Sequence, residues 1–343
     1  MNSVLITGAN GFIGSHVVRF FCNQTVRVGC LVREGSDLKN IDGLPVELRY
    51  GSLEDYDSLV RALHGFDFVI HIAGMARDWG KYQEFYQTNV VGSLNLLRAC
   101  LANQIKDMIF TATNSVYGEE NYHGLKDETS PHRPHYRYFA DRIFPCQLNY
   151  YRETKAIAKE KAIEFAKAHD LNLTVLEPVW VYGEREFHTG FFEYLDTARQ
   201  GIPFLPGSSH NRFHLVYAGD LARAYWLAFQ KRLSGINCFI IGNQHADYME
   251  KVYATFCEKA GLKKPRNLSK SISYPIGFLL ELIAILIRSK EPLLLTRGRV
   301  NMFYDNIEYA THKAQLVLGF VNEYSLEQGI EKTVRWYQQQ NLL

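Results

Sequence analysis

The chain has 343 residues, enough for one large or two smaller domains, and its 47% hydrophobic and 22% charged content is that of an ordinary soluble globular protein. A net charge of +2 gives no electrostatic reason to expect a nucleic-acid partner. Six scattered cysteines, with no C-x-x-C and no short metal spacing, read as reduced buried thiols, and no metal is expected.

The chain enters an apolar strand-like run directly after Met1-Asn2-Ser3, without a basic leader, so no cleaved signal is expected and the expected location is cytoplasmic. The run breaks at Thr7-Gly-Ala-Asn-Gly-Phe-Ile-Gly14 and passes into apolar residues at helical spacing. Gly8 allows a sharp turn, Gly11 lets backbone approach a pyrophosphate, and Gly14 lets the helix pack closely on the strand. The helix start then offers unpaired N–H groups and a positive dipole to phosphates. The spacing is G-x-x-G-x-x-G rather than G-x-G-x-x-G. Its place between the first strand and the first helix still favours a dinucleotide site over a mere tight turn.

The second strand, residues 26–33, ends in Arg33, followed by Glu34, Gly35 and Ser36. An acidic residue at this point would accept from a ribose 2′-hydroxyl, whereas an arginine would pair with a 2′-phosphate. Arg33, with a hydroxyl from Ser36, favours NADP(H); Glu34 keeps NAD(H) open.

Residues 46–53, 67–74 and 107–115 follow as strands, with amphipathic helices at 55–65 and 89–104 between them. A helix over 151–170 and a strand over 171–183 complete the alternation. That order implies a parallel sheet covered on both faces, an α/β doubly wound Rossmann fold. Strand and helix signals return at 214–230 and 236–243, and the rest is mostly helical. The expected division is a dinucleotide-binding domain over 1–182, with 214–242 returning to it. A smaller, discontinuous substrate domain would come from 183–213 and 243–343. The apolar run 276–287, with Glu281 inside it, is too short for a bilayer span, which needs about 20 residues. It reads as a buried or substrate-facing helix, with a shallow membrane-surface contact as the alternative.

A tyrosine with a lysine four residues on occurs three times, as Tyr122/Lys126, Tyr151/Lys155 and Tyr309/Lys313, so the spacing alone decides nothing. The first lies in a Gly-containing loop and the third in what reads as a surface helix. Tyr151/Lys155 opens a helix after the 107–115 strand, in the cofactor half. His123, His132 and His135 cluster without a well-spaced carboxylate and suit a lid better than a metal site.

Together these residues resemble the extended short-chain dehydrogenase/reductase superfamily (the NAD-dependent epimerase/dehydratase type) over essentially the whole chain. The motifs that carry it are the glycine turn, "HIAG" at 71–74, "NVVGSLNLL" at 89–97, "TATNSVYG" at 111–118, Tyr151…Lys155, "PVWVYG" at 178–183 and "HLVYAGDLARA" at 214–224. The resemblance implies catalysis by Tyr151, Lys155 and Thr113, with Asn89 supporting the framework. It implies cofactor contacts by Thr7, Gly8, Asn10, Gly11, Phe12, Ile13, Gly14, Arg33, Ser36, Ser52, Leu53, Ala73 and Pro178, besides Tyr151 and Lys155. Substrate contacts would come from Thr113, Asn114, Ser115, Tyr151 and Arg212, and a homodimer would form through the helices bearing these residues.

Four positions depart from the pattern. Ser52 stands where an Asp usually meets adenine, and Glu177 precedes Pro178 where an Arg is common. Asn114-Ser115 replaces the Asp-Glu of nucleotide-sugar dehydratases, leaving no carboxyl pair to eliminate water. "ARDWGKYQEFYQTNVVGS", "YRETKAIAKEKA" and the apolar 276–287 run are most like the 3β-hydroxysteroid dehydrogenase-like branch, which implies a lipophilic alcohol or ketone. Phe187, Phe191, Phe192, Tyr194 and Phe204 suit an apolar pocket or simple core. Arg212 matches a diphosphate-binding arginine of nucleotide-sugar epimerases, the rival reading. A catalytically idle dinucleotide-binding regulator is a third.

The chemistry explains the side chains. Hydride transfer at carbon needs a proton moved on or off oxygen, and a free tyrosine, with a pKa near ~10, is a poor base at neutral pH. A lysine one helical turn away shares its face, and its charge favours the phenolate.

Overall fold

The computed structural model describes residues 2–118, 125–187, 190–207 and 210–343. Tyr122 and His123 lie outside these residues.

The first strand, β1 (Ser3–Thr7), is buried along its whole length and leads through the glycine turn into α1 (Phe12–Cys22). Then come β2 (Arg27–Val32), β3 (Glu47–Tyr50), α2 (Tyr56–Leu63) and β4 (Phe68–His71). Asp55 caps α2 by accepting from the Ser58 N–H at 3.1 Å. A short α3 (Tyr82–Tyr86) continues through one π-helical turn, Gln87–Val91, into α4 (Gly92–Ala102). After β5 (Asp107–Thr111) and a 3₁₀ turn over Asn114–Tyr117, the long α5 (Leu148–Ala168) precedes β6 (Asn172–Pro178).

The second half brings β7 (Trp180–Tyr182), α6 (Phe191–Arg199), β8 (Phe204–Leu205), β9 (Arg212–Phe213) and β10 (Leu215–Tyr217). It continues with α7 (Ala218–Lys231), β11 (Ile236–Ile241), β12 (Asp247–Tyr248), α8 (Met249–Ala260) and β13 (Arg266–Asn267). Four helices follow: α9 (Lys270–Leu286), α10 (Arg297–Tyr304), α11 (His312–Leu318) and α12 (Leu326–Gln339).

Among the described residues, seven strands form one parallel sheet in the order β11-β6-β5-β4-β1-β2-β3. Successive residues point to opposite faces, so Val4 and Ile6 enter one apolar cluster and Leu5 the other. Helices cover both, as the near-continuous apolar strands require. The strand order reverses between β1 and β4, which places a ligand crevice at their carboxyl ends.

Two expectations change. The run 171–183 is two strands, not one. Pro178 has no N–H to extend the ladder. Two residues on, the Trp180 N–H donates to His214 O at 3.2 Å, and β7 pairs with β10 instead. Tyr309 belongs to no helix: it is buried, bridges to Lys126, and donates its hydroxyl to Gly118 O at 2.7 Å. Of the five aromatic residues considered for a pocket, Phe191 stacks on Phe256 and the Tyr194 ring lies tilted against Tyr253 within the core. Phe187 and Phe192 pack around Tyr337, and Phe204 is exposed.

Candidate active site

The glycine turn is built as tightly as its spacing suggests. Gly8 has φ +68°, and a Cβ there would stand 2.7 Å from Ala73 N, because β1 and β4 end side by side. A Cβ at Gly14 would stand 2.0 Å from Gly8 O, so only glycine lets α1 start against the strand. The Gly11 N–H closes the turn on Gly8 O at 3.0 Å. Gly11 is also the N-cap of α1, and no side chain caps that end. The first-turn amides, those of Phe12 and Ile13 among them, are thus left to an anion.

The loop after β2 is fastened to this turn. Asn10 Nδ2 donates to Asp37 O and Asn40 Nδ2 returns to Asn10 O, both at 3.0 Å. The Ser36 N–H donates to Arg33 O at 3.1 Å, and the Arg33 side chain is exposed at the strand end. Ser52 turns its hydroxyl to the Glu54 N–H at 3.3 Å, and Leu53 O accepts from Asn95 Nδ2 at 3.0 Å. Pro178 ends β6 in register with Ile241.

Thr7 does something its motif does not announce. Its hydroxyl accepts from the N–H groups of Ile72 and Ala73, at 3.2 and 3.1 Å, and meets His71 Nδ1 at 2.8 Å. His71 Nε2 meets Ser93 Oγ at 2.9 Å, and Ser93 donates to Asn89 O at 2.6 Å. Since the serine proton is spent on Asn89, His71 must carry its own proton on Nε2 and accept from Thr7 on Nδ1. Burial, helped by the Lys155 charge, pushes the His71 pKa down to about 3, so the ring is neutral. Nothing in the spacing of these four residues signals the chain of bonds.

Asn89 sits in the π-helical turn, a distortion common at functional sites. Its Oδ1 accepts from the Met75 N–H at 2.7 Å, and its Nδ2 donates to Met75 O at 3.2 Å and to Thr154 Oγ1 at 3.1 Å. It therefore clamps the loop after β4 to the helix that carries Lys155. Lys155 is buried, and its Nζ donates to Thr111 O, at the end of β5, at 2.6 Å. Burial lowers its pKa to about 8. A Cβ built on Gly74 would stand 3.1 Å from Asn89 Oδ1 and 3.9 Å from Lys155 Nζ, so this glycine lies close against both side chains.

Tyr151 lies in the first turns of α5, one turn before Lys155, and Thr113 follows β5 as the N-cap of the 3₁₀ turn. Thr113 Oγ1 accepts from the Ser115 N–H at 3.3 Å and lies 3.2 Å from Ser115 Oγ. Thr113, Asn114 and Ser115 are all buried at the carboxyl end of the sheet. Tyr150 packs its ring against Tyr82 and Phe85. Lys155 at the end of β5, Gly74 and Ala73 after β4, and Gly8 after β1 thus lie together at the carboxyl end of the sheet.

Glu177, one of the departures, is fully buried and pairs with Lys159 Nζ at 2.7 Å while accepting from the Tyr117 hydroxyl at 2.7 Å. Arg212 lies elsewhere, on β9, where its guanidinium donates to Ala246 O at 3.0 Å and stacks over the Tyr248 ring. The expectation that His132 and His135 lack carboxylates is corrected. His132 meets Glu160 at 2.8 Å, and His135 meets Glu153 at 2.5 Å and Asp141 at 3.0 Å. The glutamates come from α5, too far along the chain for local spacing to reveal. Among the described residues no group of three or more His, Cys, Asp or Glu side chains could hold a metal.

Comparison with known proteins shows the family and the fold. A family model described as the NAD dependent epimerase/dehydratase family matches residues 4–242. The chain is 27% identical to the 2-alkyl-3-oxoalkanoate reductase of Stenotrophomonas maltophilia, over 96% of this chain and 97% of that one. It is 26% identical to a decarboxylating sterol-4-alpha-carboxylate 3-dehydrogenase of Saccharomyces cerevisiae, over 98% of both. A crystal structure of UDP-glucose 4-epimerase with UDP-glucose, from Thermotoga maritima, shares the fold with a TM-score of 0.76 at 24% identity, over 99% of both chains.

Proposed function

Because the chain belongs to the NAD dependent epimerase/dehydratase family, we propose that it interconverts a secondary alcohol and a ketone on a lipophilic, sterol-like or 3-oxo substrate. One observation carries the reading most: Lys155, one turn after Tyr151, is buried with its Nζ on Thr111 O at the end of β5, at the same sheet end as Gly74 and the glycine turn. The nicotinamide cofactor supplies or takes the hydride when bound. Gly8, Gly11 and the first-turn amides of α1 would hold its pyrophosphate.

Tyr151 gives a proton to the ketone oxygen in reduction and takes it back in oxidation. The Lys155 ammonium favours the phenolate, and Thr113 holds the substrate oxygen toward Tyr151 through its hydroxyl. Asn114-Ser115 offers no carboxyl pair for dehydration. Likeness to a 3-oxoalkanoate reductase and a sterol dehydrogenase, both over nearly the full chain, supports a lipophilic substrate. Arg33, exposed at the end of β2 with Ser36 in the same turn, supports NADP(H).

Purified protein is incubated with NADPH or NADH against panels of ketones and nucleotide sugars, following oxidation of the cofactor. Turnover of ketones with NADPH is expected, and Tyr151→Phe should abolish it while cofactor binding remains. Conversion of a nucleotide sugar without net cofactor use would replace this reading with epimerase chemistry.

A further inference from the structure

Between Ser271 and Ile287 the only charged residue is Glu281, and its carboxylate is turned inward onto Arg297. On the outer side of α9, Ile272, Ile276, Leu279, Ile283 and Leu286 are exposed, at steps of four and three residues. They form one aliphatic stripe along the helix. Leu279 and Leu286 are 56% and 70% exposed. Beside the stripe stand Phe139 and Ile143, which are also exposed. Their loop is fastened to α9: the Phe139 ring meets Phe278 edge-on at 5.3 Å, and the Phe139 N–H donates to the Tyr274 hydroxyl at 3.2 Å. Arg297 adds hydrogen bonds to the carbonyls of Phe139 and Phe144. Exposed cations flank these residues along the chain, Arg137 and Arg142 in the loop and Arg288 and Lys290 just after the helix, with Glu291 an exposed acid next to them.

We propose that this face docks on a lipid bilayer carrying anionic headgroups, with α9 lying in the interface plane. The 17 residues of α9 make about 25 Å of helix. That falls short of a ~30 Å hydrocarbon core, and no helix among the described residues is long and apolar enough to cross a membrane. An aliphatic stripe with basic flanks is what an interfacial helix presents to headgroups and acyl chains. A second copy is the poorer occupant, because a two-fold contact would set the cationic flanks of both copies against one another. The patch also adjoins the rim of the candidate site. Trp79 Nε1 donates to Ser289 O at 3.0 Å, and the Gly80 N–H donates to Gln147 Oε1, at the start of α5, at 2.7 Å. Docking would set the crevice beside the bilayer, where a lipophilic substrate is dissolved. That consequence rests on the proposed function; the docking itself does not.

The full chain is sedimented with vesicles of phosphatidylcholine, alone and mixed with phosphatidylglycerol. Wild type is expected to pellet with the mixed vesicles, and less so as salt rises. Leu279→Ser with Leu286→Ser should weaken binding by about tenfold per leucine. Arg142→Glu with Lys290→Glu should lose the preference for mixed vesicles, and Leu316→Ser, an exposed leucine on α11, should bind like wild type. Leu279→Cys carrying an environment-sensitive dye should shift to the blue when mixed vesicles are added, and this readout does not depend on the serine variants folding. Absence of pelleting by wild type, or an unshifted dye, would overturn the proposal. So would conversion of a dimer to a monomer by the leucine variant in sedimentation velocity, which would make a second copy the occupant.

Discussion

Asn89 Nδ2 donates to Thr154 Oγ1 at 3.1 Å, joining a π-helical turn to the helix that carries Lys155. The same amide holds both backbone groups of Met75, so one side chain sets the distance between the loop after β4 and α5. Asn89→Ala leaves these buried groups without partners, at a cost of about 1–3 kcal/mol. It should also lower kcat by about tenfold to a hundredfold, the scale of a small misplacement of reacting groups. Urea unfolding and steady-state kinetics measure the two effects. A stability loss with unchanged kcat would leave Asn89 a purely structural residue.

Glu281 and Arg297, 1% and 0% exposed, make a two-pronged ion pair with both nitrogen–oxygen distances at 2.8 Å. Arg297→Met strands the glutamate charge in the interior, and a loss of about 3–5 kcal/mol is expected in urea unfolding. The same change frees the carbonyls of Phe139 and Phe144, so limited proteolysis should cut first between residues 139 and 144. A variant with wild-type stability would mean that Glu281 finds another donor.

The parallel sheet and the glycine turn were legible because each depends on local order, apolar periodicity or a turn, and the proposed choice of Tyr151/Lys155 drew on the same kind of signal, a helix after a strand. What stayed hidden is long-range. Tyr309 and Lys126, halves of the two discarded pairs, bridge to one another and both bond to Gly118 O. Their chain spacing said nothing of that contact, and it made Tyr309 look like a surface residue. The path from Thr7 through His71 and Ser93 to Asn89 was likewise invisible, because a buried neutral histidine in an apolar strand leaves no pattern of its own. The stripe on α9 was only half legible. Its length excluded a span, but only the inward turn of Glu281 reveals which side lies open.

Lys155 links the proposed chemistry to the stability of the fold. Its pKa falls from 10.5 in the unfolded chain to about 8 in the folded one, because burial penalises the charge. Below about pH 8 both states hold the proton, and the folded state carries the whole penalty, ~3 kcal/mol. Between pH 8 and 10.5 the unfolded chain binds more protons at this position, so raising the pH through that window favours the folded state and removes the penalty. Lys155→Met should therefore stabilise the cofactor-free protein near neutral pH, by about 2 kcal/mol once the lost bond to Thr111 O is subtracted. The gain should shrink as the pH rises from 8 toward 10.5. Urea unfolding of both proteins across that range isolates the effect, since every other group titrates in both. A gain that stays constant with pH would mean that the buried lysine is held charged by the fold, while alcohol–ketone turnover by the variant would remove the lysine from the mechanism.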